Sequence, residues 1–251
     1  MTGRFAGRVA AITGAASGLG RAVAEALAAE GAHLLLMDRD AAGLEALAAR
    51  CPDALTVVID VSSAADMARA AAAGLDRFGP ASLLVTAAGM LGPTAPAVEA
   101  EEADWDRLFD VNVKGTWLAA KCFIPQIRAA GGGAVVTLAS AAGLTGSLSL
   151  PAYSASKGAV VMLSRSLALA HAPEGIRVNC VCPGSIETPM LDATFAAAAD
   201  PAARMAEFRA RHPLGRFGQA REVADTVLFL LGEGAGFVTG VSLPVDGGRL
   251  A

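Results

Sequence analysis

The sequence predicts a single α/β domain built on a parallel sheet with helices on both faces. Three observations carry that expectation. Short β-type runs alternate with longer helical stretches from one end of the 251 residues to the other, the pattern of repeated β–α–β units. The β-type runs are near-continuous in Val, Ile and Leu, as strands covered on both faces require. Hydrophobic residues make up 54% of the chain and charged residues 18%, which excludes a disordered chain and allows a sizeable core.

In chain order, strands are expected at 8–13, 33–37, 55–59, 82–86, 134–139, 176–182 and 241–245. Helices are expected between them at 18–30, 41–50, 63–79, 101–130, 152–172 and 220–231, where apolar and alanine positions recur at three- and four-residue steps. No low-complexity linker or internal repeat divides the chain, so residues 1–251 form one domain. Residues 188–219 depart from the rhythm. They contain Pro189, Pro201, Pro213 and an Ala-rich run, and a segment this long between core elements predicts a helical insertion or a lid over a site.

Twenty Lys and Arg against 24 Asp and Glu give a net charge of -4. That balance argues against a nucleic-acid or anionic-membrane partner, since both call for a concentrated basic face. Cys51, Cys122, Cys180 and Cys182 show neither C-x-x-C spacing nor nearby His at ligand spacing, so buried thiols rather than a metal site are expected. Cys180 and Cys182, two apart on a strand, share one face. The first residues, MTGRFAGRVAAITGA, have no clean apolar stretch of a signal peptide. Residues 129–156 carry no charge, but Gly131-Gly132-Gly133, Gly143, Gly146 and Pro151 interrupt them, so a strand, loop and helix start explain them better than a membrane span. A soluble cytoplasmic protein is expected.

The first strand runs directly into Thr13-Gly14-Ala15-Ala16-Ser17-Gly18-Leu19-Gly20 and a helix follows at once. Gly14, Gly18 and Gly20, with Ser17 and Leu19 between them, form a turn whose N–H groups can approach a pyrophosphate at a helix N-terminus. The strand–turn–helix context makes this signal stronger than the glycines alone. Asp38 ends the second strand 18 residues beyond Gly20, where a carboxylate can accept hydrogen bonds from the adenosine ribose and repel a 2′-phosphate. NAD is therefore the expected cofactor over NADP, although Arg39 and Arg21 are guanidiniums that could accommodate such a phosphate. Asp60-Val61 and Ala88-Gly89, at the ends of the third and fourth strands, should face the same crevice. Asp60 could bond the adenine amino group or cap the following helix.

Tyr153 is the only tyrosine, and Lys157 lies four residues on, hence on the same helix face. The ammonium is expected to favour the phenolate and pull the phenol below about 10. Ser140 closes the fifth strand with a second hydroxyl at the sheet's carboxyl edge. Asn112 falls inside the long fourth helix, where a polar amide needs a reason.

With these residues in view, the sequence resembles the short-chain dehydrogenase/reductase family over essentially its whole length. The motifs are Thr13-Gly14-x-x-x-Gly18-x-Gly20, Asn112, Ser140, Tyr153-x-x-x-Lys157, Pro183-Gly184-Ser185-Ile186-Glu187-Thr188 and Val245-Asp246-Gly247-Gly248. The resemblance implies a seven-stranded, doubly wound Rossmann-type parallel sheet with a nicotinamide cofactor across its carboxyl edge. It implies Tyr153 as the proton donor or acceptor, and Lys157 as the group that tunes Tyr153 and holds the nicotinamide ribose. Ser140 would bond the substrate oxygen, and Asn112 would position a water linking Lys157 to solvent. Pro183, Gly184, Ile186 and Thr188 would form the nicotinamide loop, with Ile186 and Thr188 holding the carboxamide. The family often has Asn where Thr86 stands, which puts a sheet-stabilising contact in doubt.

Residues expected to border the substrate are Met90, Leu91, Leu144, Leu148, Met190, Leu191 and Phe195. They are apolar and include no carboxylate clamp, which points to a moderately apolar secondary alcohol or its ketone. The alternatives are an NADPH-dependent 3-oxoacyl-[acyl-carrier-protein] reductase and a non-catalytic nucleotide sensor or scaffold on the same fold. The fifth helix is apolar on most sides, so one face should cover the sheet and the other a partner subunit. With the family habit, this implies a homotetramer.

Overall fold

The computed structural model describes residues 3–251. Its centre is a parallel sheet of seven strands, β1 (Val9–Thr13), β2 (His33–Asp38), β3 (Ala54–Val58), β4 (Leu83–Thr86), β5 (Gly133–Leu138), β6 (Ile176–Pro183) and β9 (Ser242–Val245). Their order across the sheet is β3-β2-β1-β4-β5-β6-β9. The chain moves outward one way from β1 through β2 to β3, then crosses back to β4 and moves outward the other way. That reversal between β1 and β4 is the switch point at which doubly wound sheets open a crevice.

Alternate residues of each strand feed two different cores. Ile12, Leu34, Leu36, Val85, Val136 and Val181 face α1 (Gly18–Ala29), α2 (Ala41–Ala48) and α9 (Ala220–Leu231), meeting Val23, Leu27, Leu44, Val227 and Leu228. Ala11, Leu35, Met37, Leu84, Val135 and Val178 face α3 (Ala64–Phe78), α5 (Gly115–Ala129) and α6 (Pro151–His171), meeting Met67, Leu118, Phe123, Ile127 and Ala168. The two-residue period of a strand thus explains the continuous apolar runs. Each fully buried Leu in these layers contributes about 2 kcal/mol relative to exposure. Coverage is incomplete at the edge, where β3 leaves Val58 48% exposed, so the expectation of strands buried on both faces fails there.

The helix expected over 101–130 is two helices. α4 (Glu102–Phe109) and α5 are joined by a π-helical turn at Asp110–Lys114, and such turns often occur where a side chain has to be redirected. Close packing of Gly115 on Val61, where a Cβ would come within 2.9 Å of the valine, brings this turn against the sheet's carboxyl edge. The insertion after β6 contains β7 (Ile186–Glu187), α7 (Pro189–Ala196), α8 (Pro201–Ala210) and β8 (Gly218–Gln219). β7 pairs with β8, so this lid is closed at its base. Leu191, Phe195, Phe208 and Phe217 form its own small core.

Candidate active site

A cleft of about 830 Å³ follows the carboxyl edge from the glycine turn to the start of α6. At one end, Gly14 (φ 68°) has no room for a side chain: a Cβ would lie 2.5 Å from the Ala88 nitrogen. A Cβ on Gly20 would lie 2.0 Å from the Gly14 carbonyl oxygen, so Gly20 supports the turn from behind. Ser17 precedes α1 with no hydrogen bond from its side chain to the helix. Asp38 makes a contact the sequence did not disclose. Its Oδ2 accepts the Ala16 N–H at 3.0 Å and its Oδ1 the Asp40 N–H at 3.1 Å, so one carboxylate both faces the cleft and holds the glycine turn.

Of the residues expected to hold cofactor, Gly14, Ser17, Gly18, Leu19, Asp38, Asp60, Val61, Ala88, Gly89, Tyr153, Lys157 and Thr188 line this cleft. Gly20, Pro183, Gly184 and Ile186 stand behind it; Gly184 donates its N–H to the Val245 carbonyl at 3.0 Å and Ile186 is buried. Asp60 does not cap α3. Ser63 does, accepting from the Asp66 N–H, because Asp60 is occupied by the Ser62 N–H and hydroxyl at 2.9 and 2.7 Å. Those bonds hold its carboxyl below the usual carboxylate range. Arg39, Arg107, Asp104, Asp106 and Asp110 also line the cleft; the last four come from α4 and the π turn, and only the fold brings them there.

At the other end, Tyr153 and Lys157 enter from α6, whose first turn begins with Pro151, a residue pre-shaped for that position. Lys157 Nζ donates to the Leu138 carbonyl at 2.9 Å and lies 5.8 Å from the centre of the Tyr153 ring. Burial pulls the lysine down to about 8, with Cys180 and Cys182 opposing. The expectation that the ammonium lowers the phenol is not met. Burial pushes the Tyr153 phenol up, and the group that opposes the rise is the Ser140 hydroxyl. Withdrawing the phenol from water penalises the phenolate, and the lysine, bound to the Leu138 carbonyl, is not among the groups that offset it. Ser140 Oγ also accepts the Ala142 N–H at 3.1 Å, which fixes the turn that carries it.

Asn112 is buried in the π turn. Its Oδ1 accepts the Met90 N–H at 2.8 Å, and its Nδ2 donates to the Met90 carbonyl and to Ser156 Oγ, both at 3.0 Å. Gly89 lies between it and the lysine: a Cβ there would be 3.2 Å from Lys157 Nζ and 3.3 Å from Asn112 Oδ1. Among the described residues the buried Thr86 hydroxyl has no partner, so the sheet contact expected to suffer is missing there.

The expected substrate border divides. Met90 and Met190 line the cleft. Leu191 and Phe195 do not, because their four-residue spacing on α7 turns both toward Phe208 and Phe217 inside the lid. Leu148 is 96% and Leu144 37% exposed, and Leu91 lies outside the cleft lining. Cys180 and Cys182 are fully buried, with sulfurs 3.9 Å apart. Among the described residues, no group of His, Cys, Asp and Glu is arranged to hold a metal ion, and no helix is long and apolar enough to cross a membrane.

A nicotinamide dinucleotide fits these residues: a side-chain-free glycine turn at a helix start, a carboxylate at the end of β2, and a phenol and an ammonium at the far end of one cleft. Such an arrangement defines an oxidoreductase that uses a nicotinamide cofactor on CH–OH groups. Similarity to known proteins gives the family. A family model described as enoyl-(acyl carrier protein) reductase matches residues 14–249. The chain is 41% identical over 98% of its length to cis-4-hydroxycyclohexanecarboxylate dehydrogenase of Sinomonas cyclohexanicum, covering 98% of that protein. It is 37% identical to 2-(S)-hydroxypropyl-CoM dehydrogenase 3 of Xanthobacter autotrophicus, covering 100% of each chain. The crystal structure of levodione reductase superposes with a TM-score of 0.94 at 37% identity, over 98% of each chain. The chain belongs to the short-chain dehydrogenase/reductase family.

Proposed function

We propose that this protein is an NAD(H)-dependent dehydrogenase/reductase that interconverts a moderately apolar secondary alcohol and its ketone. The observation that carries this reading is that Tyr153 and Lys157, with the Ser140 hydroxyl against the phenol, stand at one end of a cleft whose other end is the glycine turn closed by Asp38. The bound cofactor would supply or take up the hydride. Tyr153 would give its phenolic proton to the carbonyl oxygen in reduction and recover it in oxidation. Ser140 would bond the same oxygen, Lys157 would hold the nicotinamide ribose, and Asn112 would keep the Met90 backbone and the lysine environment in place, with a water between Lys157 and solvent. Ile186 and Thr188 would hold the carboxamide. Asp38 supports NAD over NADP through its negative charge at the ribose position.

Met90 and Met190 support an apolar substrate, as do the names of the cis-4-hydroxycyclohexanecarboxylate and levodione relatives. The second reading is an NADPH-dependent 3-oxoacyl-[acyl-carrier-protein] reductase; the family model's description shares its acyl carrier but names an enoyl group, not a 3-oxoacyl one. The cleft mouth speaks against it: Asp104, Asp106 and Asp110 outnumber Arg39 and Arg107 there, a poor surface for an acidic carrier. A sensor or scaffold would have no chemical need for the Tyr153–Lys157–Ser140 set. Exposed Met162 and Leu169 on α6, Trp117 on α5 and Phe237 beside β9 support a homotetramer with two kinds of interface, and four free thiols suit the cytoplasm.

Initial rates at the reduced-nicotinamide absorbance band test this reading, with NAD and NADP in turn. The panel holds secondary alcohols, their ketones and a 3-oxoacyl thioester. Turnover of free alcohols or ketones with NAD is expected. Turnover of the thioester alone, with NADPH, would replace it by the second reading, and cofactor binding with no turnover would favour the sensor.

A further inference from the structure

His212 follows α8 in the lid and is 3% exposed. Its Nδ1 lies 2.9 Å from the Phe208 carbonyl oxygen in the last turn of α8. Its Nε2 lies 3.0 Å from the backbone nitrogen of Ser185, between β6 and β7. A carbonyl only accepts and a backbone N–H only donates, so the two partners require one tautomer, with the proton on Nδ1 and a free lone pair on Nε2. The ring also stands edge-on to Phe217, 6.2 Å between centroids, at the border of the lid's aromatic core.

Ser185 is held from both sides by the far end of the lid. His212 takes its N–H, and its carbonyl accepts the Gly218 N–H at 3.0 Å. The neighbouring Gly184 is pinned in the same way: a Cβ there would meet His212 Nε2 and the Asp246 Cα, each at 2.9 Å. An apolar ring of the same size would pack on Phe217 as well as imidazole does. Only a group that accepts at the Nε2 position satisfies the buried Ser185 N–H, which otherwise has to shift to find water.

We propose that His212 is a positioning residue that ties the lid to the 183–188 loop, so that the cofactor loop and the substrate lid become ordered together. This rests on the reading of that loop as the one that holds the nicotinamide carboxamide. His212 touches no reacting atom; it acts through Ser185 on Ile186 and Thr188.

The test compares three variants. His212→Phe keeps a ring and removes both hydrogen bonds. His212→Asn retains a donor near Nδ1 but cannot reach Ser185, whereas His212→Gln places a carbonyl oxygen near the Nε2 position. Binding of reduced nicotinamide dinucleotide is measured by fluorescence titration, and amide hydrogen exchange is followed in the cofactor-free protein over 183–188 and 201–211. The Phe and Asn variants should bind cofactor about tenfold more weakly, the effect of one lost hydrogen bond, and should exchange faster in both segments. The Gln variant should approach the parent protein in both measurements, and substrate KM should rise more than kcat falls in the other two. Equal affinity and equal loop exchange for the Asn and Gln variants would overturn the proposal, even if the Phe variant fails to fold. If the parent protein binds neither NADH nor NADPH, the nicotinamide reading fails, and exchange at 183–188 alone then upholds or overturns the tie.

Discussion

Asn112 and Met90 hold each other by two reciprocal hydrogen bonds, Met90 N–H to Asn112 Oδ1 at 2.8 Å and Asn112 Nδ2 to the Met90 carbonyl at 3.0 Å. The pair joins the π turn to the segment after β4, so the wall of the cleft beside Lys157 depends on one amide. Asn112→Ala would leave both backbone groups of Met90 without this partner, whereas the Ser156 hydroxyl keeps its bond to the Tyr153 carbonyl. A stability loss of about 2–4 kcal/mol is expected in urea denaturation, with faster amide exchange over 88–92. A loss below about 0.5 kcal/mol would mean that water replaces the amide there without cost.

Tyr153 is the only tyrosine, so phenolate absorbance reports it alone. In the cofactor-free protein its midpoint should lie above about 10, since burial raises it. Ser140→Ala should push it higher still, because the opposing hydroxyl is gone. A midpoint below 10, or no effect of the Ser140 change, would contradict the balance described above. Tyr153→Phe should abolish turnover while leaving cofactor binding in place.

Lys157 is held at a cost in stability. Its folded value of about 8 lies below the unfolded value of about 10.4, so the buried ammonium disfavours folding. That penalty is fully present below pH 8 and fades as pH rises toward the unfolded value. Lys157→Met should therefore stabilise the protein by about 3 kcal/mol at pH 7, less whatever the lost bond to Leu138 contributes. Its advantage in thermal unfolding should shrink between pH 8 and 10, while activity is lost at every pH. An advantage independent of pH would show that the lysine charge is not the cause.

Thr13, Thr86 and Thr137 are register neighbours across β1, β4 and β5. Thr13 Oγ1 accepts the Ala88 N–H and the Thr137 hydroxyl is hydrogen-bonded to Ser164, but Thr86 Oγ1 has no partner among the described residues. Thr86→Val, equal in shape and free of the orphan hydroxyl, should raise stability by about 1–2 kcal/mol. Thermal unfolding measures it, and destabilisation would reveal a partner for the hydroxyl, such as a buried water.

Asp38→Asn separates two effects of one side chain. The amide oxygen can still accept the Ala16 N–H, so the glycine turn should stay closed, while the Asp40 N–H loses its acceptor and NADH would lose a charged partner at the ribose. NADPH affinity relative to NADH should improve on the order of tenfold as the repulsion of a 2′-phosphate disappears. Unchanged discrimination would place cofactor choice with Arg39 instead.

Much of this was legible in the residues. Continuous apolar runs such as Leu34–Met37 announce strands that feed two cores, and the glycine turn, Asp38 and the Tyr153–Lys157 spacing announce the two ends of the cleft. The lid was visible as a break in rhythm, through its prolines. The breaks at Asn112 and in the substrate border were not. A π turn differs from an α turn by one residue within an unbroken helical pattern, and Leu191 and Phe195 are as apolar as Met190 beside them.

Periodicity and glycine sterics are local, so most strands and helices, the glycine turn and the candidate proton carriers could be read from the residues alone. Which apolar side chains face the cleft and which fill the lid, the rise of Tyr153 on burial and the meeting of His212 with Ser185 emerge only in the folded chain. Those outcomes depend on desolvation and on contacts between residues far apart in the chain, quantities that no local pattern contains.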